Sequence, residues 1–206
     1  MTKYLADYDH IRGPLERMIH NDPVFRSQDI DIGDFCWPVY SLGFEGLCRI
    51  VTGQQISSKA ADSLWSKLTN KIKPLTAENF LKYNEPDLKE LGLSRQKQSY
   101  LKNLADLICQ GKFDPSDLTA MDDDQIRKTI TSLKGFGPWS AEIYLLFCLK
   151  RPDVWPAGDL GVQIGLQKYL GSVERPDFET TLKEGERFSP NRTAGALLMW
   201  YMKDKC

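Results

Sequence analysis

A Gly-x-Gly-Pro run between two helical patterns limits what this chain can fold into more than any other stretch. It reads Leu133-Lys134-Gly135-Phe136-Gly137-Pro138-Trp139-Ser140-Ala141. Glycine tolerates φ > 0 and proline suits the first position of a helix, so the run predicts a tight backbone reversal. Ahead of it, Ile126, Ile130 and Leu133 recur at helical spacing. Behind it, Ala141, Leu145 and Leu149 recur every fourth residue, with Ile143, Leu146 and Phe147 widening the apolar face. The expected local structure is helix, hairpin, helix. The second helix should begin with unpaired backbone N–H groups, those of Trp139, Ser140 and Ala141 among them, beside a loop of little side-chain bulk. A phosphate can dock there. Taken alone, such a turn is more often a plain helix connection with a glycine cap, so more than the glycines must carry a functional reading.

A second stretch follows at helix-length distance, Trp155-Pro156-Ala157-Gly158-Asp159, and opens another helical pattern. Together the two resemble the hairpin and the downstream Gly/Pro-containing loop with its aspartate found in the helix-hairpin-helix (HhH-GPD) superfamily of base-excision DNA glycosylases. Within it the chain is most similar to the alkylation-repair branch, 3-methyladenine DNA glycosylase II, over nearly its whole length. The resemblance implies an all-α fold of two helical lobes with a catalytic cleft between them. Residues 1–206 would form one glycosylase domain. One lobe would be about 45–150, carrying the hairpin, and the other about 1–44 with 151–206, so that the hairpin and Asp159 face one another across the cleft. About 40 residues precede the shared core, so the extra N-terminal β-domain of a larger family member is not matched.

With 206 residues, 41% of them hydrophobic, the chain can bury a sizeable core in one domain or two lobes. No run of 18 apolar residues occurs and the N-terminus lacks a signal-peptide shape, which leads to the expectation of a soluble protein, cytoplasmic in a bacterium or nuclear in a eukaryote. Five cysteines, at 36, 48, 109, 148 and 206, are an odd number, and none lies within four residues of another. A zinc knuckle or a disulfide framework is not expected, and the close four-cysteine cluster of the family's iron-sulfur branch is missing. The formal charge of −1 weighs against a uniformly basic DNA-binding domain. A lesion enzyme needs only a local footprint, however, because overall basicity mainly favours non-specific binding. Lys134, Lys150 and Arg151 supply local positive charge, and Asp122, Asp123 and Asp124 sit where they favour the dipole of the preceding helix.

Elsewhere, residues 3–20 place Tyr4, Leu5, Tyr8, Ile11, Leu15, Met18 and Ile19 at helical spacing, with Gly13-Pro14 marking a break. Residues 29–35 alternate briefly and are expected as an extended linker, since nothing nearby offers a pairing partner. Helices are expected over 41–53, from Ser57 or Ser58 through Leu68, and over 76–83, 86–91, 94–109, 160–170, 177–188 and 191–203, with Gly171 ending the sixth. No βαβ pattern, heptad array or internal repeat appears. Lys97 is expected on a solvated helix face.

Cleaving a nucleoside C1′–N bond passes through a sugar with oxocarbenium character, which calls for negative charge beside the sugar and a route for water. Asp159, at the start of a helical pattern, suits that role, although the same position is that of an ordinary N-cap aspartate. The resemblance makes it the catalytic residue. It also places a base pocket at Trp139, Trp200, Ile143 and Leu160, the last two where the branch carries tyrosines. The hairpin, Lys134 to Gly137 with Trp139, Ser140 and Ala141, would hold a DNA phosphate. Gln54 and Gln55 would lie in the loop that enters the minor groove, with Gln55 as the wedge. No cofactor is required, though a monovalent cation, Na⁺ or K⁺, could be held by the backbone carbonyls of Leu133 and Phe136. Members that also cut the strand carry a lysine where this chain has Trp139, so Schiff-base chemistry is not expected. The expected substrate is double-stranded DNA with alkylated purines such as 3-methyladenine and 7-methylguanine, bound by a monomer without a membrane. The alternatives are a glycosylase of another lesion preference or with lyase activity, and a non-catalytic helix-hairpin-helix module.

Overall fold

The computed structural model describes residues 3–4, 9–37 and 39–204. The fold is all-α. In chain order the helices are α1 (Asp9–Asn21), α2 (Pro23–Arg26), α3 (Gly43–Gly53), α4 (Ser58–Lys71), α5 (Ala77–Phe80), α6 (Glu85–Glu90), α7 (Arg95–Cys109), α8 (Asp123–Ser132), α9 (Pro138–Ile143), α10 (Leu160–Leu170), α11 (Phe178–Gly185) and α12 (Arg192–Asp204). Their starts are written locally. Ser57, Thr76, Ser94 and Asp177 each accept a backbone N–H of the first turn, and Asn84 and Asp122 form reciprocal capping boxes with Asp87 and Gln125. Gly171, at φ 63°, ends α10 as expected.

Several expectations change. Lys3 and Tyr4 are not helical; they pair antiparallel with Trp37 and Cys36 in a two-residue ladder. Residues 29–35, expected as an extended linker, instead hold a 3-10 turn at Ile32–Asp34 whose start is capped by Asp31, its Oδ1 accepting the N–H of Gly33 at 2.7 Å. The ladder partner, Cys36–Trp37, lies just beyond them and too far from the chain start for local pattern to reveal. Residues 5–8 of the expected helix lie outside the described residues. Pro14 does not break α1: it is buried beside Ile11 and Leu15, and that packing offsets the missing N–H. Lastly, the helix after the hairpin does not keep one period. α9 passes into a π-turn at Tyr144–Cys148, an insertion that shifts the residues beyond it around the axis.

Packing divides the chain into two units, Tyr40–Tyr144 and Met1–Val39 with Leu145–Cys206. In the first, α7 is central and packs on α3, α5 and α6. Its Leu101 and Leu104 are buried, as are Leu47 and Val51 of α3, Leu68 of α4 and Phe80 of α5. Each such side chain removed from water contributes about 1.5–3 kcal/mol. Lys97 is not on a solvated face. Its Nζ donates to the carbonyl of Thr52 at 2.9 Å, and burial lowers its pKa. A cation at the C-terminus of α3 also complements that helix's dipole.

The second unit is built on the pair α10 and α12. Gly165 faces the backbone of Met199, and a Cβ there would collide with that carbonyl, so the two helices meet at backbone contact. Phe25 stacks on Tyr169 (4.9 Å between centroids) and Trp155 on Phe188 (5.3 Å). The start of α12 is tied to the segment before the Asp159 loop. Asp153 accepts from the backbone N, Nε and Nη2 of Arg192, while Thr193 Oγ1 donates to the carbonyl of Arg151 and accepts from the N–H of Val154.

Candidate functional site

The hairpin closes through the N–H of Phe136, which donates to the carbonyl of Leu133 at 3.1 Å. Phe136 is buried and anchors the turn. Gly135 has φ 89°, and a Cβ on it would overlap the ring of Tyr100 on α7. Both the backbone and the packing therefore demand glycine here. Gly137 is different. It is the N-cap of α9 with φ −107° and ψ −174°, conformationally open to any residue, and a Cβ there would meet nothing within 4 Å. No side chain caps this helix start, so nothing in the protein's interior explains the second glycine. Its backbone is a surface that a partner can approach closely.

The other hairpin residues divide. The Nζ of Lys134, an exposed residue, donates to Ser99 Oγ at 3.0 Å. The first-turn N–H groups are not all available as expected: that of Ala141 donates to the carbonyl of Gly137 at 3.2 Å, the first bond of the helix. Ala141 and Ser140 are buried, and Trp139 is half-buried.

Gln54, expected in the loop that enters the minor groove, is held by its side chain within its own unit. It caps the C-terminus of α3, and its Nε2 donates to the carbonyl of Gly135 (2.9 Å) and to Ser140 Oγ (3.1 Å), so its side chain braces the hairpin. Gln55 is exposed with φ 57°, a left-handed conformation uncommon for a residue with a side chain. Ile56 beside it is 40% exposed. The loop thus presents Gln55 and Ile56 outward while Gln54 fixes it to the turn. Strained backbone of this kind gathers at functional positions.

In the other unit, Asp159 is the N-cap of α10, and its Oδ1 accepts the backbone N–H of Val162 at 3.0 Å. The same oxygen accepts the indole N–H of Trp200 at 2.7 Å. The loop before it is held by Trp155 Nε1, which donates to the carbonyl of Thr181, and by Gln163 Nε2, which donates to that of Ala157. Trp200 lies against Phe147, with ring centroids 5.5 Å apart and planes at 27°. Phe147 belongs to the π-turn, so the local change of period decides which side chain backs the indole. A Cβ on Gly161 would lie 2.6 Å from Trp200 Cδ1 and 3.0 Å from Asp159 Oδ1.

The structure therefore unites Asp159 with Trp200, and Gln54 with the hairpin. Of the other residues expected to line a base pocket, Leu160 is 54% exposed at the start of α10, whereas Ile143 is 4% exposed in the interior of its unit. Sequence reasoning missed Phe147, Gly161 and Tyr100. A helical glycine two residues after the aspartate was the one available signal, since glycine inside a helix costs about 0.5–1 kcal/mol relative to alanine and calls for a reason. Among the described residues, no group of three or more His, Cys, Asp or Glu is arranged to hold a metal ion, and no helix is long and apolar enough to cross a membrane.

The chain is similar to known proteins. The chain is 30% identical over 162 residues to DNA-3-methyladenine glycosylase 1 of Schizosaccharomyces pombe, covering 76% of this chain and 71% of that protein. It is 32% identical over 149 residues to the DNA-3-methyladenine glycosylase of Saccharomyces cerevisiae, covering 68% of this chain and 50% of that one. The solved structure of a Schizosaccharomyces pombe 3-methyladenine DNA glycosylase in complex with abasic DNA superposes with a TM-score of 0.79 at 26% identity, covering 91% of this chain and 95% of that one. The family model of the HhH-GPD superfamily base excision DNA repair proteins matches residues 48–190, a stretch that contains the Gln54 loop, the hairpin and Asp159. This chain belongs to the HhH-GPD superfamily of base excision DNA repair proteins.

Proposed function

We propose that this chain is a monofunctional DNA glycosylase that hydrolyses the N-glycosidic bond of alkylated purines in double-stranded DNA. The observation that carries the reading is the Asp159 carboxylate, fixed through Oδ1 by Val162 N–H and Trp200 N–H at the start of α10. The names of the relatives, DNA-3-methyladenine glycosylases, support the same substrate class. In this reading the hairpin grips a phosphate and positions the strand without reading its sequence, while Gln55 fills the gap left by an extruded base. Asp159 stabilises positive charge developing on the sugar as the C1′–N bond breaks, and orients the water whose oxygen bonds to C1′ while one of its protons is released to solvent. The bonding electrons leave with the base. A purine alkylated on a ring nitrogen is cationic, so it departs neutral without needing a proton from the protein, and an aromatic face such as that of Trp139 favours it over neutral bases. With tryptophan at 139, no amine is placed there to form a Schiff base.

No cofactor takes part. A Na⁺ or K⁺ ion fits the carbonyls of Leu133 and Phe136 chemically, since Leu133 keeps a lone pair after accepting the Phe136 N–H; bound there it would brace the turn. The test of the proposal is Asp159→Asn. Base release from methylated duplex should be almost abolished while binding to lesion DNA persists, because the charge is lost and the fold is not. Release at the wild-type rate would remove Asp159 from the mechanism.

A further inference from the structure

Trp200 sits where a base-stacking residue is expected, yet its geometry binds it first to Asp159. Its single N–H, the only hydrogen-bonding group on an indole, is committed to Asp159 Oδ1 at 2.7 Å. One ring face is covered by Phe147. Its Cδ1–Nε1 edge occupies the space that a side chain at position 161 would fill, with Cδ1 2.6 Å and Nε1 2.8 Å from where that Cβ would be. The same missing Cβ would stand 3.0 Å from the carboxylate oxygen itself. Three features thus converge on one oxygen: the N–H of Val162, the indole N–H of Trp200, and a gap in α10 that only glycine leaves open.

We infer that Trp200 and Gly161 together form the seat of the Asp159 carboxylate, Trp200 as a positioning residue that orients the carboxylate through its N–H, and Gly161 as the slot that admits the indole edge. The inference rests on the glycosylase reading for its catalytic consequence, but the seat exists or fails independently of it. The backbone cap reaches Oδ1 through one donor, the N–H of Val162, and the Asp χ2 torsion it acts on has broad, roughly two-fold preferences. A second donor on the same oxygen, carried by a ring stacked on Phe147, narrows that torsion further. An aromatic without an N–H would keep the packing and lose the orientation, which separates this role from stacking alone. Because α12 bears Trp200 while α10 bears Gly161 and is capped by Asp159, the backbone contact of these helices at Gly165 sets the donor at its distance.

Two measurements test the seat. The first needs no activity: solvent exchange of the Trp200 indole proton, followed by NMR, should be slow in the wild-type protein and accelerate in Asp159→Ala. An indole proton that exchanges equally fast in both would overturn the seat, whatever the protein does to DNA. The second uses single-turnover base release from methylated duplex at saturating enzyme. Trp200→Phe keeps the ring and removes the donor, and the loss of one hydrogen bond to a charged group should slow release about 10- to 100-fold with lesion-DNA affinity unchanged. In an Asp159→Asn background the same change should slow release no further, because two residues acting as one unit are not additive. Gly161→Ala should reproduce the Trp200→Phe defect. Trp200→Phe at the wild-type rate, or a loss that multiplies in full onto that of Asp159→Asn, would overturn the positioning role and leave Trp200 a stacking residue. A protected indole proton in a wild-type protein that releases no base would support the seat and refute the glycosylase reading instead.

Discussion

Alanine at the two hairpin glycines should separate folding from DNA binding, because the structure gives the glycines different reasons to be there. At Gly135 the backbone has φ 89° and the new methyl group would overlap the Tyr100 ring. Left-handed backbone on a residue with a side chain costs about 1–2 kcal/mol, and forcing a methyl into packed surroundings about 1–3 kcal/mol more. Gly135→Ala should therefore lose about 2–5 kcal/mol. For a chain of this length each kcal/mol moves Tm by about 2–4 °C, so Tm should fall by roughly 4–20 °C. At Gly137 the backbone is extended and a Cβ would touch nothing. The cost to folding is only the weaker N-cap preference of alanine, below about 1 kcal/mol. The methyl group would instead stand on the surface at the start of α9 that the proposed phosphate contact uses, so affinity for damaged and undamaged duplex should drop together. Thermal denaturation followed by DNA titration reads both effects. The reasoning fails if Gly135→Ala melts with the wild type, or if Gly137→Ala lowers Tm as much as Gly135→Ala does.

Gln54→Leu removes donors to the Gly135 carbonyl and Ser140 Oγ, a loss of about 1–3 kcal/mol at typical net hydrogen-bond values. Gln54→Glu should be worse than Gln54→Leu, since it turns an acceptor toward a carbonyl, and equal Tm values for the two would contradict the bracing role. Tyr169 has its pKa raised to about 12, first by burial and then by its hydrogen bond to Asp22. Because the folded state holds the phenolic proton more tightly than the unfolded chain, the associated stability is complete below about pH 10, the unperturbed tyrosine value, and is lost as pH rises toward the folded pKa of about 12. Tyr169→Phe should flatten that alkaline fall in Tm, and an unchanged profile would place the titration elsewhere.

How much could be read in advance depended on how local the cause was. Gly135-Phe136-Gly137-Pro138 and the caps at Ser57, Ser94 and Asp122 are legible because a turn or a cap is decided by a few adjacent residues. The pairing of Lys3–Tyr4 with Cys36–Trp37 is not, since its two halves lie far apart in sequence. Two glutamines in a row look alike on paper, yet one braces the hairpin through contacts 81 and 86 residues away and the other is exposed in a left-handed conformation. Trp200 is singled out by the family resemblance, because a tryptophan on an apolar helix reads equally well as core packing. That its N–H ends on Asp159, 41 residues earlier, follows only from the packing of α10 on α12. The π-turn that brings Phe147 behind the indole lies within an unbroken apolar pattern whose period gives no sign of it.

The central claim is most directly tested by single-turnover release of free base from matched duplexes carrying one lesion each. Cationic 3-methyladenine and 7-methylguanine should leave far faster than neutral 8-oxoguanine or uracil, because the protein stabilises the sugar through Asp159 and relies on the base to leave unaided. Equal rates for cationic and neutral bases would mean that a protein group protonates the leaving base, and no release from any of the four would contradict the account outright.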